Sequence, residues 1–307
     1  MGEVYRAKDT RLDRQVAIKV LSEHLAHHAD SLKRFEREAK LLASLNHPNI
    51  VSIYDVGTEQ GISFVVMELL EGDTLRSRIS QSPLPWEKAL QIAIFIADGL
   101  SAAHSKAVIH RDLKPANVFL TLDGHVKILD FGLARFQEIT HEENLTELPT
   151  LSQLTHQGII MGTTPYMSPE QIEAKSVDTR TDIFSFGCLL YEMITARRAF
   201  PGDSSSEVIA AILRDEPTKI TGIPSELQHV ITRCMEKNPE QRFQSARDLT
   251  FALREIQSTA SISRTVHVAI PRSHLRKTAA GMAFAIFAMI ALIIGLNVGG
   301  LRDRFAV

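Results

Sequence analysis

Asp112, Lys114, Asn117 and Asp130 crowd into one stretch of the chain, HRDLKPANVFLTLDGHVKILDFG, residues 110–132. Asp123-Gly124, set between apolar runs, predicts a two-residue hairpin turn. Counting outward from it pairs Leu122 with His125, Leu120 with Lys127, Val118 with Leu129, and Asn117 with Asp130. That register would set an amide oxygen and a carboxylate side by side at the open end of one ribbon. A few hard oxygen donors suit Mg2+, which keeps water and phosphate in its remaining positions. Asp112, just before Asn117, is near enough to accept a proton from an incoming hydroxyl. A surface hairpin with incidental acids is the plainer alternative, and it leaves so many matched positions unexplained.

These side chains need a scaffold, and the first twenty residues, MGEVYRAKDTRLDRQVAIKV, begin it. Val4-Tyr5-Arg6-Ala7 alternates, a polar turn follows, and Gln15 to Val20 alternates again, which predicts a hairpin. Period-2 counting puts Lys19 on the face of Ala17, opposite Val16, Ile18 and Val20. Residues 31–45 have helical periodicity, with Phe35, Ala39, Leu41, Leu42 and Leu45 on one arc. Glu38 falls inside that arc, where a carboxylate must find a cation or lose heavily to desolvation. Lys19 is a candidate partner. Taken singly, the two residues fit equally well a solvated strand lysine and a carboxylate at the rim in water.

The first 70 residues read as strands plus one helix and residues 85–257 as mostly helical, so a small sheet lobe should join a larger helical lobe near MELLEGDTL. The composition, 44% hydrophobic and 23% charged, is that of a folded protein, and a formal charge of −2 argues against nucleic acid as a partner. Cys188 and Cys234 lie in apolar surroundings without CxxC spacing and read as reduced core residues. A polar linker, 258–277, leads to an uncharged run, 278–301, long enough to cross a bilayer and followed by a short tail, 302–307. A buried core helix is the alternative for that run. Arg264, Arg272, Arg276 and Lys277 precede it and only Arg302 and Arg304 follow, so the large domain should face the cytoplasm. Gly295 and Gly299 form a GxxxG that would allow a homodimer of spans, although a run rich in small residues produces such spacing by composition.

VAIK, HRDLKPAN, DFG and GTTPYMSPE occur in an order that resembles the signature of protein kinases, and the chain resembles a bacterial, eukaryotic-type Ser/Thr kinase over residues 2–256. The resemblance implies an α+β, two-lobed fold, a small antiparallel β lobe over 1–70 and an α-helical lobe over 73–257, plus one C-terminal transmembrane helix. It implies ATP and Mg2+ as cofactors and protein Ser/Thr hydroxyls as acceptors. By resemblance Lys19 holds the α- and β-phosphates and Glu38 is its ion-pair partner. Asp112 is the base, Lys114 steadies the transferring group, and Asn117 and Asp130 hold the metal. Gly2 closes the phosphate loop. Val4, Ala17 and Phe119 sandwich the adenine, Met67 is the gatekeeper, and Glu68 and Leu70 offer hinge backbone groups. His110 is a core histidine, as are Glu170 with Arg242 and Asp182 structural groups, Asp182 anchoring the catalytic loop. Ser168 stands where Ala is more usual.

Lys114 and Thr163 favour Ser/Thr over Tyr as acceptor. Arg111 suggests control by phosphorylation of the loop 133–161, which holds Thr150 and, as the preferred site, Thr155. The remaining histidines, His27 and His28 among them, read as surface residues. Gly2-Glu3-Val4 matches only the end of the family's GxGxxGxV loop, so Met1 is expected to be a misplaced or alternative start. A shortened loop would weaken ATP binding, which leaves a membrane-tethered, kinase-like scaffold of low or no activity as the alternative function.

Overall fold

The computed structural model describes residues 3–20, 45–60, 62–131 and 164–266, with Ala43, Ala288, Met289 and Leu292 besides. Two compact units divide the chain, Met1–Gln257 and Ser258–Val307. Among the described residues no helix is long and apolar enough to cross a membrane. The span expected at 278–301 lies outside them apart from Ala288, Met289 and Leu292.

The first unit opens with four antiparallel strands, β1 (Val4–Asp9), β2 (Arg14–Val20), β3 (Ile53–Glu59) and β4 (Ile62–Glu68), in the order β1-β2-β4-β3. Asp9 turns β1 into β2, its Oδ1 accepting the N–H groups of Arg11 and Leu12 at 3.0 and 3.2 Å. Ala17 and Val65 are buried on the face that Lys19 shares, and Val16 is buried on the opposite one. In this register Val4 lies opposite Lys19, and Ala17 opposite Met67.

A second sheet joins β5 (Gly72–Thr74), β6 (Val118–Thr121) and β7 (Val126–Ile128) in the order β5-β6-β7. Here the two-residue turn is corrected by one position: Val118 pairs with Ile128, Phe119 with Lys127 and Leu120 with Val126. The loop has three residues, Leu122, Asp123 and Gly124. Gly124 adopts φ +87°, and the Thr121 N–H donates to the His125 carbonyl at 3.0 Å. A turn completed by a left-handed glycine closes the hairpin one residue later than a two-residue turn would. The Thr121 hydroxyl supports it by accepting the His125 N–H at 2.9 Å. Asn117 therefore lies opposite Leu129, whose N–H donates to its carbonyl at 2.8 Å, and not opposite Asp130.

Helices supply the rest: α1 (Leu75–Gln81), α2 (Trp86–His104), α3 (Pro169–Ile172), α4 (Arg180–Thr195), α5 (Ser205–Arg214), α6 (Ser225–Cys234) and α7 (Ala246–Val266). Every residue of α4 from Thr181 to Met193 is buried. A helix covered on all sides is the axis of a core, and α2 and α6 pack against it. At Gly187 an added Cβ would come within 2.7 Å of the Cys234 Cβ, so the absent side chain lets α4 and α6 meet closely. Cys188 and Cys234 are free and buried there. Burial pushes both thiols up, that of Cys188 to about 12.

The ion pair of Arg242 and Glu170 lies inside this core. Arg242 is 0% exposed and grips Glu170 with two bonds of 2.7 and 2.9 Å. Its other N–H groups donate to the carbonyls of Glu236, Lys237 and Arg180, so all five donors of the guanidinium are used. Burial pushes the Glu170 carboxyl up, but the hydrogen bond and charge of Arg242 outweigh it and hold it below its ordinary 4.5. R242M should lower stability by about 3–5 kcal/mol in urea titration, because Glu170 is left buried alone, and the E170L/R242M double variant should recover most of that loss. In the parent this carboxyl binds its proton less tightly folded than unfolded. Its stabilisation is then complete above pH 4.5 and fades as the pH falls further, an acid limb that R242M should lack.

Candidate active site

A carboxylate inside a buried helix must be satisfied by neighbours, and Asp182 of α4 finds three. Its Oδ1 accepts the Arg111 N–H at 2.8 Å, and its Oδ2 accepts the His110 N–H at 2.8 Å and meets His104 Nε2 at 2.7 Å. Burial pushes this carboxyl up, yet the hydrogen bond and charge of His104, with His110, hold it below the usual aspartate value. The grip fixes Arg111 at φ +66°, a left-handed backbone costing on the order of 1–2 kcal/mol for a residue with a side chain.

His110 carries that placement onward. Its Nδ1 accepts the Asp112 N–H at 3.2 Å and its Nε2 meets the Leu129 carbonyl at 2.9 Å, which assigns the proton to Nε2. The ring lies 4.7 Å from that of Phe131. One imidazole thus ties the backbone of Asp112 to Leu129, in the segment that leads from β7 to Asp130.

Around Asp112 the polar atoms are sharply divided. Oδ2 accepts from Lys114 Nζ at 2.7 Å and from Asn117 Nδ2 at 3.1 Å. Asn117 Nδ2 also donates to the Asp112 carbonyl at 2.9 Å, so both of its N–H groups are used and its amide oxygen is left. Asp112 Oδ1 is buried and has no hydrogen-bond partner. Asp130, at φ +57°, holds Lys19 Nζ at 2.7 Å. Thus Asp112, Lys114 and Asn117 form one cluster, and Asp130 and Lys19 a second contact two strands away in sequence.

Of the residues expected around the adenine, Ala17 is buried, Met67, Leu70 and Phe119 are half-buried, and Val4 is exposed. A mostly apolar cleft lined by Leu45, Ile53, Val65 and Met67 reaches Phe131 and Asp130, the charged residue among the described lining. The Glu68 N–H, one of the hinge groups expected there, donates to the Ser52 carbonyl at 3.0 Å. The Glu68 side chain instead accepts Lys127 Nζ at 2.7 Å and the Ser52 N–H at 2.7 Å. Glu38, Gly2, Thr150, Thr155 and Thr163 lie outside the described residues.

Two contacts escaped the sequence. His104, read as a surface histidine, has a side chain only 9% exposed because it closes α2 against Asp182. Gln171 reaches the Arg111 carbonyl from α3 at 2.9 Å. Neither carries a local signal, since each partner is remote along the chain.

The protein kinase domain family profile matches residues 1–251, and the chain belongs to that family. It is 41% identical over 258 residues to a probable serine/threonine-protein kinase of Streptomyces coelicolor, covering 81% of this chain and 37% of that protein. Identity to the serine/threonine-protein kinase PknB of Mycobacterium leprae is 38% over 267 residues, covering 84% and 41%. The chain thus spans about two fifths of the length of these curated relatives. The crystal structure of a mutant PknI kinase domain of Mycobacterium tuberculosis superposes with a TM-score of 0.63 at 26% identity, covering 83% of this chain and 90% of that one.

D182A leaves the buried N–H groups of His110 and Arg111 without an acceptor, each costing about 1–3 kcal/mol. It should lower the unfolding free energy by roughly that sum in urea titration and speed hydrogen exchange at those two amides.

Proposed function

We propose that the protein transfers the γ-phosphoryl group of ATP to serine and threonine hydroxyls of proteins, with Mg2+ as the companion ion. The observation that carries this reading is the bare, buried Oδ1 of Asp112 beside an Oδ2 held by both Lys114 and Asn117. A carboxylate immobilised through one oxygen presents the other as a proton acceptor of fixed position. The donor set also fits a magnesium nucleotide: the Asn117 amide oxygen and the Asp130 carboxylate are hard ligands, few in number. Bound there, Mg2+ would offset the charge of the triphosphate.

In the transfer the acceptor oxygen bonds to the γ-phosphorus while the bond from that phosphorus to its bridging oxygen breaks. The hydroxyl proton passes to Asp112 Oδ1, and ADP leaves. Lys114, held against Asp112, brings positive charge to the same point. Lys19 would exchange part of its contact with Asp130 for phosphate oxygens. Lys114 and the names of the curated relatives support Ser/Thr as the acceptor class.

We further read residues 278–301 as a membrane span with the kinase domain on the cytoplasmic side, on the strength of the uncharged run and the Arg/Lys excess before it. The GxxxG at Gly295 and Gly299 supports a homodimer through that span.

The test uses the full chain, ATP labelled at the γ position and a generic protein acceptor. The parent should yield phosphoserine and phosphothreonine, and D112N and D130A should each lower the rate by about 10²–10⁴-fold. No transfer by the parent would favour the tethered scaffold instead. In the same preparations the chain should stay with alkali-washed membranes, and a version ending at residue 277 should be released.

A further inference from the structure

We propose that Gln171 is a positioning residue for the catalytic loop, its amide holding the Arg111 carbonyl and thereby the peptide that sets Asp112. The proposal rests on the phosphotransfer reading above. Arg111 is the residue immediately before Asp112 and has the left-handed φ of +66°. Its N–H is held by Asp182 of α4 at 2.8 Å, and its carbonyl by Gln171 Nε2 of α3 at 2.9 Å. The strained residue is gripped from both sides, by two different helices. Releasing either side lets the backbone relax toward an ordinary conformation and rotates the peptide that carries Asp112.

The orientation of Gln171 is set by Ser168. The Ser168 N–H donates to Gln171 Oε1 at 3.0 Å and the Gln171 N–H lies 3.4 Å from Ser168 Oγ, a reciprocal cap at the start of α3. With Oε1 taken by Ser168, Nε2 is the atom that faces Arg111. Capping alone does not ask for glutamine, because a glutamate serves the same reciprocal motif. Only the contact with the Arg111 carbonyl needs the N–H, since a carboxylate would turn an oxygen toward an oxygen. The serine where the family more often has alanine supplies the cap.

Behind the cap the bonds continue into the core. Ser168 Oγ meets Thr181 Oγ1 at 3.4 Å, and Thr181 donates to Glu170 at 2.8 Å, the carboxylate held by Arg242. Gln171 therefore stands on a buried network, and the Arg111 carbonyl is fastened to an element that does not yield.

The test compares Q171E and S168A with the parent in the full chain, reading kcat, KM for ATP, Tm and hydrogen exchange at the amides of residues 110–113. Q171E keeps the cap and loses only the donor. It should leave Tm within about 2 °C of the parent and KM for ATP within about twofold, while kcat falls roughly tenfold to hundredfold and the loop amides exchange faster. S168A loses the cap hydroxyl but keeps the donor, so it should lower Tm by about 2–4 °C and kcat less than Q171E does. Parental kcat and exchange in Q171E, or losses in Q171E that merely track Tm as in S168A, would overturn the proposal. If the parent transfers no phosphate, the phosphotransfer reading fails separately. Exchange then decides, faster loop exchange in Q171E supporting the positioning role and unchanged exchange refuting it.

Discussion

The site depends on one buried negative charge. Asp182 sits in a helix covered on every side, where an unpaired carboxylate would be prohibitive. The donors that make it tolerable are the backbone amides of His110 and Arg111 and the ring of His104. Satisfying the core and shaping the loop that carries Asp112 are therefore a single act. The protein cannot relax the loop without leaving a charge unsolvated in its interior, so the strained φ at Arg111 persists.

From Asp182 outward, each polar group of the site is oriented by a neighbour that has no freedom of its own. His110 passes the position of the loop to Asp112 through one ring nitrogen and to Leu129, just before Asp130, through the other. Lys114 and Asn117 converge on one oxygen of Asp112 and leave the second bare. On the far side the Arg242–Glu170 pair plays the matching part for α3. Buried ion pairs contribute little net stability compared with apolar packing, so the value of this one lies in its fixed geometry. A bidentate guanidinium with every donor engaged allows α3 one seat only.

Much of the fold is legible in the chain. Alternation marks β1 and β2, a continuous apolar stretch marks β4, and a nearly unbroken apolar run marks α4. The Asp-Gly dipeptide alone predicts a loop one residue too short, because it serves two- and three-residue loops alike and the Thr121 hydroxyl and the left-handed Gly124 decide between them. Within the site, Asp112, Lys114 and Asn117 are neighbours in sequence and their clustering can be anticipated. His104 and Gln171 cannot be found in this way. A histidine at the end of an apolar helix and a glutamine at a helix start both have ordinary local roles. What distinguishes them is a partner 78 or 60 positions away, which only the packing of α2, α3 and α4 brings near.

The close crossing of α4 and α6 at Gly187 has a consequence for the two sulfurs beside it. A thiol reacts as thiolate, and here both thiols are shut away from water and held protonated. Thiol-directed oxidants and alkylating agents then reach neither sulfur in the native fold. Cys188 and Cys234 become labelled at the rate at which the helical lobe opens, so the chain carries its own built-in gauge of how often that lobe comes apart.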